Sequence, residues 1–274
     1  MKVTVIISFY NKIDVLKLLI AGFERQSFED FEIIVADDGS KKEVVKELNM
    51  LIATSGIQIR HVWHDDNGWR KNTILNKAIL ESSGDYLIFV DGDCIPHRHF
   101  VADHYRNRRA GTLLTGRRVK LSEKISQRLT IAKVKSGYLD RRPFGEVVWD
   151  SLFGKSKHIE KGFRLFGLLK QTYPRKNKNR EVLGCNFSLS KADFLSINGF
   201  DERYLGPGIG EDNDIDLRFT NHGGKVMFFK LGAIQYHVYH RVISRYDRSN
   251  NLRIFNENKK MNLGPTKYGI KSTN

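Results

Sequence analysis

A chain of 274 residues, 40% hydrophobic and 28% charged, is long enough for one large domain or two small ones and too apolar to remain unfolded. No apolar stretch approaches the roughly 18 residues that suggest a membrane span, and two cysteines, Cys94 and Cys185, are too few to read a disulfide framework from. Lys and Arg number 46 against 31 Asp and Glu, a net charge of +15, which favours an anionic partner: nucleic acid, acidic lipid or a phosphorylated substrate.

Lys2 to Phe9 is a β-rich apolar run, predicted as a buried strand, and Tyr10-Asn11-Lys12 a polar loop. Ile13 to Gln26 has helical spacing, with Val15, Leu16, Leu18, Leu19 and Phe23 on one wide apolar face. A second strand spans Phe31 to Ala36 and runs into Asp37-Asp38-Gly39-Ser40. Helices over Lys42 to Ala53 and Trp69 to Ser82 flank a strand over Ile57 to Trp63. A fourth strand, Asp85 to Val90, ends in Asp91-Gly92-Asp93. This alternation predicts βαβ units and a mainly parallel α/β sheet, whose ligands bind at the carboxyl ends of the strands. From about Leu121 to Arg180 periodicity is weak and basic residues dominate. Order resumes with a strand-like Val182 to Leu189 and a short helix from Lys191 to Ile197. Then come a glycine-rich loop at 206–210, a helix from Glu211 to His222 and a strand from Lys225 to Phe229. The polar, basic tail after Arg245 is expected to be loosely packed.

Five groups of residues carry possible chemistry. Asp91 and Asp93, one residue apart on a bend after a strand, can converge on one hard cation, Gly92 letting the backbone turn. Asp37-Asp38-Gly39-Ser40 can accept hydrogen bonds from a base or ribose, or can simply cap a helix. Trp69-Arg70-Lys71-Asn72, at a helix start, can meet phosphate or base. Glu211, Asp212, Asp214 and Asp216 suit a helix N-terminus by their charge alone; the sharper reading makes one of them a general base. Tyr236-His237-Val238-Tyr239-His240 offers two histidines that are structural or metal-binding. Each group alone is also what an ordinary turn or strand contains.

Their order resembles glycosyltransferase family 2, the inverting enzymes of GT-A fold. Val5-Ile6-Ile7-Ser8-Phe9-Tyr10-Asn11 is similar to that family's first strand and nucleotide loop, and Phe31 to Ser40 to its second strand and uridine-binding turn. Arg70, Asn72 and Asn76 stand where the family has its Arg-Asn helix, and Gly84 to Asp93 matches its metal strand. Gly184-Cys185-Asn186-Phe187-Ser188-Leu189-Ser190, Ile197 to Glu202 and Gly210 to Ile215 resemble the carboxyl-terminal module of β-1,4-galactosyltransferases. The resemblance covers residues 3–93 and 183–240 well and 121–180 poorly. It departs at the glycine loop, where Pro207 or Ile209 stands in the region of the galactosyltransferases' tryptophan.

The resemblance implies a single GT-A domain over 1–240: a nucleotide-sugar half at 1–120, a basic insertion at 121–180 and an acceptor half at 181–240, with a basic tail at 241–274. It implies Asp212 as catalytic base with Glu211 binding a sugar. The donor, a UDP-sugar by expectation, falls to Ser8, Tyr10, Asp37, Asp38, Arg70, Asn72, Asn76, Asp91 and Gly92. A divalent metal, Mn2+ or Mg2+, falls to Asp93, Asp91 and His237, preferred over His240. The acceptor expected is a glycan or lipid-linked glycan of bacterial cell-surface polysaccharide or lipopolysaccharide. Basic residues interleaved with Phe163, Leu165, Phe166, Leu168 and Leu169 suggest contact with an anionic membrane surface. With no basic n-region or cleavage site near Met1, and cysteines suited to a reducing compartment, the expected location is cytoplasmic. A nucleic-acid-binding protein is favoured by charge only, no recognition motif accompanying it. A sugar nucleotidyltransferase lacks support because Ser8 to Lys12 carries no glycine-rich phosphate loop.

Overall fold

A computed structural model describes residues 2–141, 156–157, 172–174, 182–207, 209–229, 232–241 and 248–271. The apolar and basic stretch at 162–170, and with it the expected membrane contact, lies outside them. Among the described residues no helix is long and apolar enough to cross a membrane.

The α/β architecture is present. Strands β1 (Val3–Phe9), β2 (Phe31–Asp37), β3 (Ile59–Trp63) and β4 (Tyr86–Asp91) alternate with helices α1 (Ile13–Phe23), α2 (Lys42–Thr54) and α3 (Lys71–Glu81). They make parallel pairs in the order β3-β2-β1-β4, one end of an eight-stranded sheet. Because successive strand residues face opposite ways, Val5, Ile7, Ile33, Val35, Ile88 and Val90 pack under Leu16, Leu19, Ile20 and Phe23 of α1. Ile6, Ile34, Leu87 and Phe89 pack on the other face against Ile74, Leu75, Ala78 and Ile79 of α3. Apolar residues at most positions of these strands reflect burial on both faces.

Beyond β4 come β5 (Cys94–Pro96), α4 (Phe100–Arg106), β6 (Thr112–Thr115) and β7 (Arg117–Lys120). The weakly periodic stretch after Leu121 is helical as far as residue 141, in three short pieces: α5 (Glu123–Gln127), α6 (Ile131–Lys135) and α7 (Tyr138–Arg141). Helices of four or five residues are too short to show periodicity. Ser122 and Thr130 start the first two, accepting hydrogen bonds from the Ile125 and Lys133 amides. Ile125, Leu129, Val134 and Leu139 are buried, and Arg25 of the α1 end meets Asp140 at 2.7 Å.

The later part closes the sheet. After β8 (Thr172–Pro174), β9 (Asn186–Ser190) inserts antiparallel between β4 and β6, starting four residues later than the sequence pattern suggests. Helices α8 (Lys191–Ser196) and α9 (Glu211–Asn221) and strands β10 (Lys225–Phe229) and β11 (Ile234–His237) follow. β11 joins β5 and β7 in a separate three-stranded sheet.

The tail is packed, contrary to expectation. Helix α10 (Ser249–Lys260) buries Asn251, Ile254 and Asn258. The amide of Asn251 donates to the carbonyls of Leu205 and Ile209, both at 2.8 Å, and its oxygen accepts from the Leu205 N–H. Asn258 donates to Asp214 at 2.8 Å. Asp214 also receives Tyr204 at 3.0 Å and the guanidinium of Arg218 at 2.6 Å. Arg218 is 0% exposed, and its remaining donors reach the carbonyls of Ile197 and Gly199. These polar residues read as surface in a one-dimensional pattern; in three dimensions they bond one another, which makes their burial tolerable.

Asn72 and Asn76, expected on the donor, are buried in a clamp between the halves. Asn72 donates to the Asp201 carbonyl at 2.7 Å. Asn76 donates to the Phe200 carbonyl and to Glu202, and accepts from the Phe200 N–H, each at 2.9 Å. The inward face of α3 points at the 200–202 turn, so these amides meet protein backbone.

Two stability outcomes follow from these bonds. Arg218→Met leaves the Asp214 carboxylate buried without its cation and is expected to lower unfolding free energy in urea by about 3–5 kcal/mol. Asn76→Ala leaves the buried Phe200 N–H and carbonyl without their side-chain partner and should cost about 1–3 kcal/mol, with nucleotide affinity of the folded protein unchanged; a selective loss of nucleotide binding would support the donor role.

Candidate functional site at the carboxyl edge of the sheet

Parallel register brings the expected groups to one edge. Phe9 lies opposite Asp37, and Ser8 opposite Asp91. Gly92 then passes directly over the end of β1, its N–H donating to the Ser8 carbonyl at 2.9 Å. A Cβ at residue 92 would stand 2.9 Å from that same oxygen. Close approach to β1, more than freedom to turn, is what requires glycine there.

Asp91 is turned inward. Its Oδ1 accepts from the Ser8 hydroxyl and from Lys71 Nζ, both at 2.8 Å. Ser8, Lys71, Asp91 and Gly184 line a small cavity between the halves. Asp93 faces another way. Its Oδ2 lies 3.1 Å from His240 Nε2 and 3.7 Å from His237 Nε2, and Cys94 donates its thiol proton to Oδ1 at 3.4 Å. Ligand atoms of Asp93, Cys94 and His237 all fall within 4.8 Å of one another. The donor group that the fold assembles is therefore Asp93 with Cys94 and His237, His240 lying beside Asp93 as well, while Asp91 is bonded to Lys71. An imidazole nitrogen, a carboxylate oxygen and a nearby thiol on converging side chains suit a divalent cation.

Electrostatics favour an ionised Asp93. Burial pushes its carboxyl up, but the His240 hydrogen bond and the charges of His237 and His240 outweigh this and hold it at about 2. The hydrogen bond to Asp93 raises His240. Burial lowers His237, and the nearby charge of Arg118 adds to that while Asp93 opposes it. An imidazole kept neutral is the form that binds metals.

The second group lies at the ends of β1, β2 and β3. Asp37 is fully buried; it accepts from the Ser40 N–H at 2.9 Å and faces His61 Nε2 at 2.9 Å. Asp38 faces His64 Nε2 at 2.8 Å and accepts from the Arg70 N–H at 3.0 Å. Burial raises the Asp38 carboxyl, against the pull of those two bonds. Gly39 has φ +90°, and a Cβ there would come within 2.5 Å of Asp66 Cα, so the 39–40 turn and the 66–68 loop are in contact only because residue 39 is glycine. Tyr10 is 49% exposed and donates its hydroxyl to Asp66 at 3.0 Å.

Asp212 sits in the first turn of α9. Its carboxylate accepts from the Gly184 N–H at 3.2 Å and from the Asn213 N–H at 2.9 Å, and Gly184 borders the cavity that Asp91 and Lys71 line. Glu211 begins the same helix; its side chain lies outside the described residues. The edge thus gathers Ser8, Tyr10, Asp37, Asp38, Arg70, Asp91, Gly92, Asp93, Asp212 and His237. Asn72 and Asn76 stand apart in the clamp. Sequence reasoning missed His61 and His64, although His64 abuts the Asp65-Asp66-Asn67-Gly68 turn. It also missed Cys94 and the bond between Lys71 and Asp91.

Comparison with known proteins bears on this arrangement. Residues 4–163 match the family described as glycosyl transferase family 2, and residues 167–241 match the N-terminal domain of galactosyltransferase. Chondroitin synthase of Escherichia coli is 25% identical over 256 residues, covering 85% of this chain and 34% of that protein. Validoxylamine A glucosyltransferase of Streptomyces hygroscopicus subsp. jinggangensis is 25% identical over 241 residues, 80% of this chain and 51% of that one. The chain therefore spans between a third and about half of the length of these relatives. Among solved structures, the mannosyltransferase PcManGT of Pyrobaculum calidifontis in complex with GDP-Man and Mn2+ aligns with a TM-score of 0.56 at 13% identity, covering 88% of this chain and 57% of that one. S. aureus TarS 1-349 aligns with a TM-score of 0.51 at 16% identity, covering 87% and 60%. These likenesses show the fold, which is GT-A. With more than half of its length matched by one family model, the chain belongs to glycosyl transferase family 2.

Proposed function

We propose that the protein is an inverting glycosyltransferase that moves a hexose or N-acetylhexosamine from a nucleoside-diphosphate donor, a UDP-sugar, to a glycan acceptor of bacterial cell-surface polysaccharide. The observation that carries this reading is the meeting of Asp93 with His237 and His240, residues from the two separately matched parts of the chain, at the edge that also holds Asp38, Tyr10 and Asp212. Chondroitin synthase and a teichoic acid poly(glycerol phosphate) polymerase among the relatives support a surface-polymer acceptor.

Each residue has a task in this reading. The exposed Tyr10 ring offers a stacking face to the base, and Asp38, fixed by His64 and the Arg70 amide, offers it a carboxylate. Asp93, His237 and His240 would hold a divalent cation, which when bound offsets the charge growing on the departing diphosphate. Lys71 neutralises Asp91 at the floor of the site, so the approaching donor meets one carboxylate fewer. Asp212, oriented by the Gly184 and Asn213 amides, takes the proton of the acceptor hydroxyl. The acceptor oxygen forms its bond to the anomeric carbon as the bond to the diphosphate breaks, inverting that centre.

General-base catalysis typically contributes about 10²–10⁴-fold. Asp212→Asn is accordingly expected to slow sugar transfer by about that factor while UDP-sugar binding, read by calorimetry with Mn2+, stays within about twofold; parallel loss of both would remove Asp212 from the role of base. Chelation should abolish transfer and Mn2+ restore it, and Asp93→Asn should make the restoration fail. Undiminished transfer after exhaustive chelation would refute the metal assignment.

A further inference from the structure

The three-stranded sheet has two unlike faces. Ile95, Val119, Ile234 and Tyr236 enter an apolar cluster. Opposite residues on paired strands point the same way, and neighbours along a strand point oppositely. His237 pairs with Cys94, and Gln235 with Arg118, so these four share the other face. The contacts agree: Gln235 and Arg118 both donate to Cys185 Sγ, at 3.0 and 3.3 Å. Arg118 thus stands on the face that presents His237 towards Asp93, roughly 7 Å along the strand direction, two residues' rise.

Arg118 is partly buried, and among the described residues no carboxylate lies within 4.0 Å of it. A thiol is a weak acceptor, so most of the guanidinium's hydrogen-bonding capacity is not met by Cys185. Lys71, a second cation of the site, has its charge matched by Asp91 at 2.8 Å. The Arg118 charge is felt at His237. An edge that holds Asp37, Asp38, Asp91, Asp93 and Asp212 repels a polyanion unless cations face it, and a planar guanidinium matches phosphate oxygens in pairs.

We propose that Arg118 is a diphosphate-binding residue, its guanidinium donating to phosphate oxygens of the sugar-nucleotide donor beside the Asp93 and His237 pair. The proposal rests on the transferase reading above and adds a residue to it. Arg118 is on β7, in a stretch where the family resemblance named no functional residue.

Arg118→Gln keeps a donor for Cys185 and removes the charge; Arg118→Lys keeps the charge without the fork. Calorimetry with inorganic pyrophosphate, without metal, and with Mn2+ alone tests the role. Loss of charge-assisted bonds worth about 1.5–3 kcal/mol corresponds to about 10–100-fold weaker pyrophosphate binding in Arg118→Gln, with Arg118→Lys between it and wild type. Mn2+ should bind Arg118→Gln at least as tightly as wild type, because a nearby positive charge has been removed; a purely structural role would weaken both ligands together. Equal pyrophosphate affinity in wild type and Arg118→Gln, no pyrophosphate binding in wild type, or parallel loss of pyrophosphate and Mn2+ affinity would each overturn the proposal. A wild-type protein that binds pyrophosphate through Arg118 yet transfers no sugar would overturn the transferase reading and leave the anion site standing.

Discussion

Strand β1 is hydrogen-bonded on both sides, to β2 and to β4, and both pairings are parallel. That arrangement sets nearly everything else about the edge where ligands bind. Because β1, β2 and β4 run the same way, the turns that follow them emerge together, and one residue of register error would turn every side chain to the wrong face. The strands are apolar at almost every position, so burial against α1 and α3 holds the register firmly. The close pass of Gly92 over the Ser8 carbonyl is the result. It lets Asp91 reach back to Ser8 and Lys71 while Asp93, two residues on, faces the histidines of β11 and the segment after it.

The edge concentrates acidic groups in a chain of strongly positive net charge. Self-repulsion there is contained pairwise. Asp37 faces His61, Asp38 faces His64, Asp91 faces Lys71, and Asp93 faces His237 and His240. Imidazoles are apt partners because they hydrogen-bond a carboxylate whether neutral or charged, and so hold its orientation without always cancelling its charge. The same geometry leaves Asp93 ionised and His237 biased towards neutrality, which is the state a cation needs.

The later half of the chain is held to the first by polar bonds as much as by apolar contact. Asn72 and Asn76 of α3 grip the backbone at 200–201, and Arg218 ties α9 to the carbonyls of Ile197 and Gly199. Helix α10 completes the arrangement by bonding Leu205 and Ile209 through Asn251 and Asp214 through Asn258. Asp212 therefore sits at the start of a helix whose position is fixed from both sides. A segment that reads as a polar tail helps to place a residue proposed for chemistry.

The sequence by itself determined the βα alternation, the parallel sheet and the edge at which Asp37, Asp38, Asp91 and Asp93 gather, because long apolar runs and glycine turns act locally and leave a one-dimensional trace. It also carried the Asp212 and His237 motifs, through the order of short patterns along the chain. Only the tertiary structure decided which carboxylate meets which cation. Asp91 and Asp93 are alike in sequence, yet one faces α3 and the other faces the end of β11, since successive turns of a backbone on a bend point different ways. Only the fold could show that Asn72 and Asn76 meet protein backbone, that α10 is packed, and that Arg118 shares a sheet face with His237. These are contacts between residues distant along the chain, made by cross-strand register and by buried hydrogen bonds, and no local pattern encodes either.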